Sequence, residues 1–103
     1  MLAVILEREQ DHARIRLEGE CHVTSAAELG KRLIAGIASG ETLRLDLRDV
    51  ESMDISTLQL LWAAGRQAER SGVRVELQIP EAAAETARQA GFEEFPGLTV
   101  LLA

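Results

Sequence analysis

Apolar and charged positions alternate along much of this chain, and the period of the alternation changes from segment to segment. The run Ala3–Arg8 starts apolar and turns charged at Glu7, and it predicts a first strand. In Ala13–Glu18, Ile15 and Leu17 alternate with Arg14, Arg16 and Glu18, the period of a strand buried on one side. The polar connection Glu9-Gln10-Asp11-His12 fits a hairpin turn, with Gly19 as the exit from the hairpin. Ser25 followed by Glu28 has the spacing of a capping box, and Ala26, Leu29, Leu33 and Ile37 then recur as a helical stripe ending before Gly40.

Leu43, Leu45 and Leu47 alternate with Arg44, Asp46 and Arg48, predicting a third strand from Thr42 to Leu47 and a polar loop after it. A long helix is expected from Ser56 to Arg70. Leu58, Leu61, Trp62 and Gly65 would form its buried face, Arg66, Gln67, Glu69 and Arg70 its wet face, and Gly72 its cap. Gly65 costs about 1 kcal/mol relative to Ala in a helix interior, so close packing against the sheet is expected there. Val73, Val75, Leu77 and Ile79 make a fourth strand; Pro80 ends it and opens a helix from Glu81 to Ala90, stopped by Gly91. Leu98–Leu102 would be the last strand. The order ββαβαβαβ implies an α/β fold with a mixed sheet, helices layered against it and right-handed crossovers.

With 103 residues the chain suits one domain, spanning 1–103, with one continuous core. A net charge of -6 with 11 scattered basic residues argues against nucleic-acid binding, which needs clustered Lys and Arg. The N-terminal apolar run lacks the basic start of a signal peptide, and no segment is long enough to span a bilayer; a reduced, cytoplasmic setting is the expectation. The single cysteine, Cys21, rules out an internal disulfide and reads as a small half-buried apolar residue.

Candidate chemistry is sparse. His12 and His22 fall in a turn and between elements. Cys21 and His22 are neighbours that point different ways in extended chain, so they offer no convergent metal ligands. Asp46, Asp49 and Asp54 read as solvated carboxylates, not an acid–base dyad. Gly36 and Gly40 lack the spacing and Lys of a phosphate loop. Trp62 reads as core. Neither a cofactor nor an enzymatic activity is expected.

The stretch Leu45-Asp46-Leu47-Arg48-Asp49-Val50-Glu51-Ser52-Met53-Asp54-Ile55-Ser56-Thr57-Leu58 resembles the signature of the STAS family, the bacterial anti-sigma factor antagonists and related domains of sulfate transporters and lipid-transport complexes. The family pattern is a strand ending Asp-Leu-Ser, a short loop, and Met-Asp-Ser-Ser-Gly-Leu opening a helix. Leu17-Glu18-Gly19-Glu20 and Ala90-Gly91-Phe92 resemble two further family turns, so the likeness runs through nearly the whole chain. It implies a STAS-like (SpoIIAA-like) fold and a non-catalytic role in signal transduction and transcription regulation. Asp54 falls on the family's Asp. Ser56 falls on the Ser that a partner kinase, itself the anti-sigma factor, phosphorylates to dissolve the complex. Met53, Asp54, Ile55, Ser56, Thr57 and Leu58 would form the partner-binding loop, and Thr24, Ser25, Glu28 and Lys31 on the first helix would add contacts.

Three positions depart from the pattern. Ile55 replaces the first Ser, a change expected to matter little. Thr57 replaces the Gly and narrows the approach to Ser56, and His22 stands where many antagonists have Asp. The residues themselves leave two roles for Ser56. It can be a plain N-cap, or a hydroxyl at a helix start where unpaired amides would receive a phosphate and the added charge of about -1.5 to -2 would repel a docked partner. Asp54 could equally be the cap. A docking subunit of a larger assembly, such as a lipid-transport ATPase or a chemotaxis array, would use the same surface without a covalent switch.

Overall fold

The computed structural model describes residues 2–10, 12–21 and 23–102, and only the backbone at 2, 21, 23, 24 and 102. Eight elements follow in the expected order: β1 (Leu2–Arg8), β2 (His12–Cys21), α1 (Val23–Ala38), β3 (Thr42–Met53), α2 (Ile55–Ser71), β4 (Val75–Ile79), α3 (Glu81–Gln89) and β5 (Leu98–Leu102). They make one five-stranded sheet in the order β1-β2-β3-β4-β5, antiparallel between β1 and β2 and parallel thereafter. The hairpin closes where the Glu9 N–H donates to the His12 carbonyl at 2.9 Å. Each later strand is added beside the one before it. Right-handed crossovers that always step the same way must lay every helix on the same face.

The alternation in the sequence selects that face. Ala13, Ile15 and Leu17 of β2, Leu43, Leu45 and Leu47 of β3, and Val75, Leu77 and Ile79 of β4 are all buried. They join Leu29, Leu33 and Ile37 of α1, Leu58, Leu61, Ala64 and Ala68 of α2, and Ala87 of α3 in one cluster. Burial of this kind is worth about 25 cal/mol per Å² of apolar surface, which makes the cluster the main source of stability.

The intervening residues line the open face of the sheet as a lattice of ion pairs. Arg44 donates to Glu76 at 2.9 and 3.0 Å, and Arg74 reaches the same carboxylate at 3.1 Å. Asp46 corrects the sequence expectation: it is not solvated but 0% exposed. Arg48 clasps it from its own strand at 2.7 and 2.9 Å, and Arg14 from β2 at 3.0 Å. Two long guanidinium side chains cover the short carboxylate, so its burial comes from neighbours that alternation alone does not reveal. The Arg48 hydrogen bond, aided by the Arg48 N–H and the charges of Arg48 and Arg14, holds the Asp46 carboxyl below the ordinary range although burial opposes this. The Arg44 hydrogen bond, with help from Arg74, lowers Glu76 likewise.

Several boundaries differ from the sequence expectation. Gly19 does not end β2. It sits inside the strand with φ 98°, and the β2–β3 register slips between Arg16 and Glu18 and again between Gly19 and Glu20. Slips of this kind mark bulges, which glycine accommodates without a Cβ clash. They let β2 and β3 run on together to Cys21 and Met53, so the segment 48–53 is strand where a polar loop was expected. With β2 extended, α1 starts at Val23, and Ser25 lies inside its first turn instead of capping it. Glu28 accordingly accepts from Arg32 at 3.0 Å, one turn on. Val73 precedes β4 instead of joining it: Gly72, at φ 68°, caps α2, and the Val73 N–H donates to the Ala68 carbonyl. Trp62 faces outward at 37% exposure, its place in the buried stripe taken by Ala64 and Ala68. The Asp11 turn position and His22 lie outside the described residues, as does the Cys21 side chain.

Gly65 packs closely, though against the segment entering β5 and not the body of the sheet. A β-carbon there would drive into the Pro96 carbonyl oxygen, and one on Gly97 (φ +88°) would meet the Gly65 carbonyl. Gly65→Ala should therefore be destabilising despite Ala's better helix propensity. Overpacking of about 2 kcal/mol would lower the thermal midpoint by about 10 °C, read by circular dichroism. Because the folded pKa of Asp46 lies below its unfolded value of about 3.9, its contribution is complete above that pH and is lost as the pH falls further. Asp46→Asn should cost about 2 kcal/mol at neutral pH and flatten the acid limb of the urea stability curve below about pH 4.

Candidate functional site

The parallel strands share a direction, so the chain leaves β2, β3 and β4 at one edge of the sheet, and α1, α2 and α3 all begin there. In parallel sheets this carboxyl edge is where chemistry and recognition collect. Beyond Asp46, β3 extends past its pairing with β4 and carries Met53 and Asp54 out to this edge.

Asp54 is the N-cap of α2. Its backbone is extended (φ -101°, ψ 177°), and Oδ1 accepts from the Thr57 N–H at 3.2 Å. The same oxygen accepts the Ser56 hydroxyl at 2.6 Å and the Thr57 hydroxyl at 3.3 Å. Ser56 is thus the second residue of the helix and not its cap, and the capping alternative is resolved in favour of Asp54. A neutral cap side chain is worth about 1 kcal/mol; a carboxylate also meets the partial positive charge of the helix end.

Ser56 is half-buried, and Ile55 beside it is 57% exposed. The first helical position thus displays an isoleucine to solvent. Thr57, by contrast, is 1% exposed, as is Leu58, so these two members of the expected loop turn their side chains into the core. What remains presented is Met53, Asp54, Ile55 and Ser56, with Glu51 and Ser52 exposed just before them. Topology puts the first turn of α1, including Thr24 and half-buried Ser25, at the same edge, whereas exposed Glu28 and Lys31 lie further along that helix; the Thr24 side chain is outside the described residues. A shallow cavity of about 140 Å³ separates the β3 extension from the start of α3, lined by Val50, Met53, Pro80 and Thr86 among others.

Among the described residues no group of three or more His, Cys, Asp or Glu is placed to hold a metal ion. No described helix is long and apolar enough to cross a membrane. The edge offers a hydroxyl, a carboxylate and an exposed aliphatic side chain.

Comparison with solved structures finds the same architecture repeatedly. An anti-sigma factor antagonist from Mycobacterium paratuberculosis superposes with a TM-score of 0.80 at 18% identity, covering 96% of this chain and 86% of that one. The Bacillus cell fate determinant SpoIIAA in its phosphorylated form gives 0.72 at 21% identity, with 98% and 91% covered. A Ser-to-Glu variant of RsbS from Moorella thermoacetica gives 0.78 at 24% identity, with 97% and 86% covered. At these identities the likeness establishes the fold: mixed α/β and SpoIIAA-like. No curated protein matches the sequence. The sequence pattern of the family described as "Mlab, STAS domain" matches residues 5–102, and the chain accordingly belongs to the STAS domain family.

Proposed function

We propose that this protein is a cytoplasmic regulatory module of the anti-sigma factor antagonist type. It docks through the Met53–Ser56 edge onto a serine kinase that is also an anti-sigma factor, and phosphorylation of Ser56 releases it. It acts by binding and not by catalysis. The observation that carries this reading is the Ser56 hydroxyl, held in the first turn of α2 by a 2.6 Å bond to Asp54 beside exposed Ile55.

The chemistry of the switch follows from that bond. An unmodified hydroxyl donates to Asp54. A phosphorylated Ser56 has no proton to give, and it brings about -1.5 to -2 charge next to a carboxylate. The two anions must separate, so the phosphate swings away from Asp54 into the exposed edge, where Glu51 adds further negative charge. A partner that had packed on Ile55 and a neutral hydroxyl would then face a buried like-charge contact. That SpoIIAA has been solved in a phosphorylated form supports the idea that this fold accepts such a group.

A second reading is a docking subunit of a larger assembly, such as a lipid-transport ATPase or a chemotaxis array, with the same edge and no covalent step. One observation favours it: Thr57 fills the position of the pattern's glycine, with its side chain buried.

Incubation with the cognate anti-sigma kinase and ATP should add the mass of one phosphoryl group to the intact chain and none to Ser56→Ala. Ser56→Glu should weaken capture of that kinase by about tenfold or more, about 1.4 kcal/mol. If the mass stays unchanged while a control antagonist is phosphorylated, the covalent switch is wrong. Recovery of an ATPase subunit or chemotaxis component, equally by wild type and Ser56→Ala, would establish the second reading.

A further inference from the structure

Eight of the chain's 11 basic side chains sit in ion pairs with carboxylates. Among the described residues the exceptions are Lys31, Arg66 and Arg70. In a chain of net charge -6 such a concentration of unneutralised positive charge calls for a reason. All three lie on α1 and α2, and Arg66 and Arg70 border the groove between those helices.

This groove is a mainly apolar feature of the helical surface. It measures about 400 Å³, with Leu33, Ile34, Leu60 and Ala63 along it and no acidic residue in its lining. Ile34 is 65% exposed, the highest value of any large apolar side chain described. Trp62 stands at the rim, with the Arg66 guanidinium 5.0 Å from its ring centroid. Lys31 precedes Ile34 by three residues and so stacks one helical turn from it. The groove lies between residues of the two helices and is open to solvent, not enclosed as a small-molecule cavity would be. Its shape therefore suits a third helix laid against two.

We propose that the α1–α2 groove is a second docking site, and that its occupant is an amphipathic helix of a partner protein with acidic side chains flanking its apolar stripe. The apolar stripe would cover Ile34 and Leu60, and the acidic flanks would meet Arg66, Arg70 and Lys31. A second copy of this chain does not fit, because the groove lining holds no acidic residue, so two-fold pairing through it would leave Arg66 and Arg70 without carboxylate partners. The site goes beyond the Ser56 edge. Its α2 residues start at Leu60, four residues past Ser56, about 6 Å along the helix.

Trp62 is the single tryptophan in the chain and gives a direct readout. The probe is a synthetic peptide of about 16 residues with leucines at helical spacing and flanking glutamates, matched by a version with lysines in place of the glutamates. The glutamate peptide should shift Trp62 emission saturably, and the lysine peptide should bind at least tenfold more weakly. Arg70→Glu and Ile34→Asp, both at exposed positions and checked for folding by circular dichroism, should each raise Kd about tenfold by calorimetry. Ser56→Glu should leave Kd unchanged, which separates this site from the edge. Equal binding of both peptides, no binding of the glutamate peptide, or no effect of Arg70→Glu would each overturn the proposal.

Discussion

The leucines and charges that alternate along β3 constrain everything else in the molecule. Leu43, Leu45 and Leu47 can be removed from water only if a layer covers their face, while Arg44 and Asp46 demand that the other face remain polar. With all crossovers stepping in one direction, the three helices supply that single layer. The packed layer is then closed by near-contact of two backbones at Gly65 and Gly97, where side chains would hold α2 away from the entry to β5. One-sidedness has a further consequence: all three helix N-termini emerge along one edge, which puts the proposed contact surface where the strands end.

The open face is polar without being loosely hydrated. Arg14, Arg48 and Asp46 form a compact charged cluster bridging β2 and β3, and Arg44, Glu76 and Arg74 link β3 to β4. Part-buried pairs of this kind add modest net stability because desolvation offsets much of the attraction, but removing a partner of the fully buried Asp46 is costly. A charged lattice also discourages a second sheet from stacking on this face, because the charges would lose their water.

At that edge a single carboxylate organises the site. Asp54 caps α2 and engages both Ser56 and Thr57, so the stability of the helix start and the state of the Ser56 hydroxyl are coupled through one oxygen. A change at Ser56 is therefore felt by the cap, and a change at the cap by Ser56. The buried Thr57 stiffens the arrangement from inside, since a β-branched side chain in the core restricts the first turn more than glycine would.

Sequence alone determined the order of the elements, the core leucines and the position of Ser56 near a helix start. Those features depend on local periodicity and on capping chemistry, and both are written in adjacent residues. The STAS signature added the identity of the fold through the residues from Leu45 to Leu58. Tertiary structure decided what depends on residues distant in sequence. The burial of Asp46 needs Arg14 from another strand, and the extension of β3 needs the bulges of β2. The outward turn of Trp62 depends on which stripe of α2 meets the sheet, because its heptad spacing is compatible with either side. The assignment of the cap to Asp54, with Ser56 bound to it, likewise required a backbone placed in space: both residues are good caps, and only the path of the chain out of β3 distinguishes them.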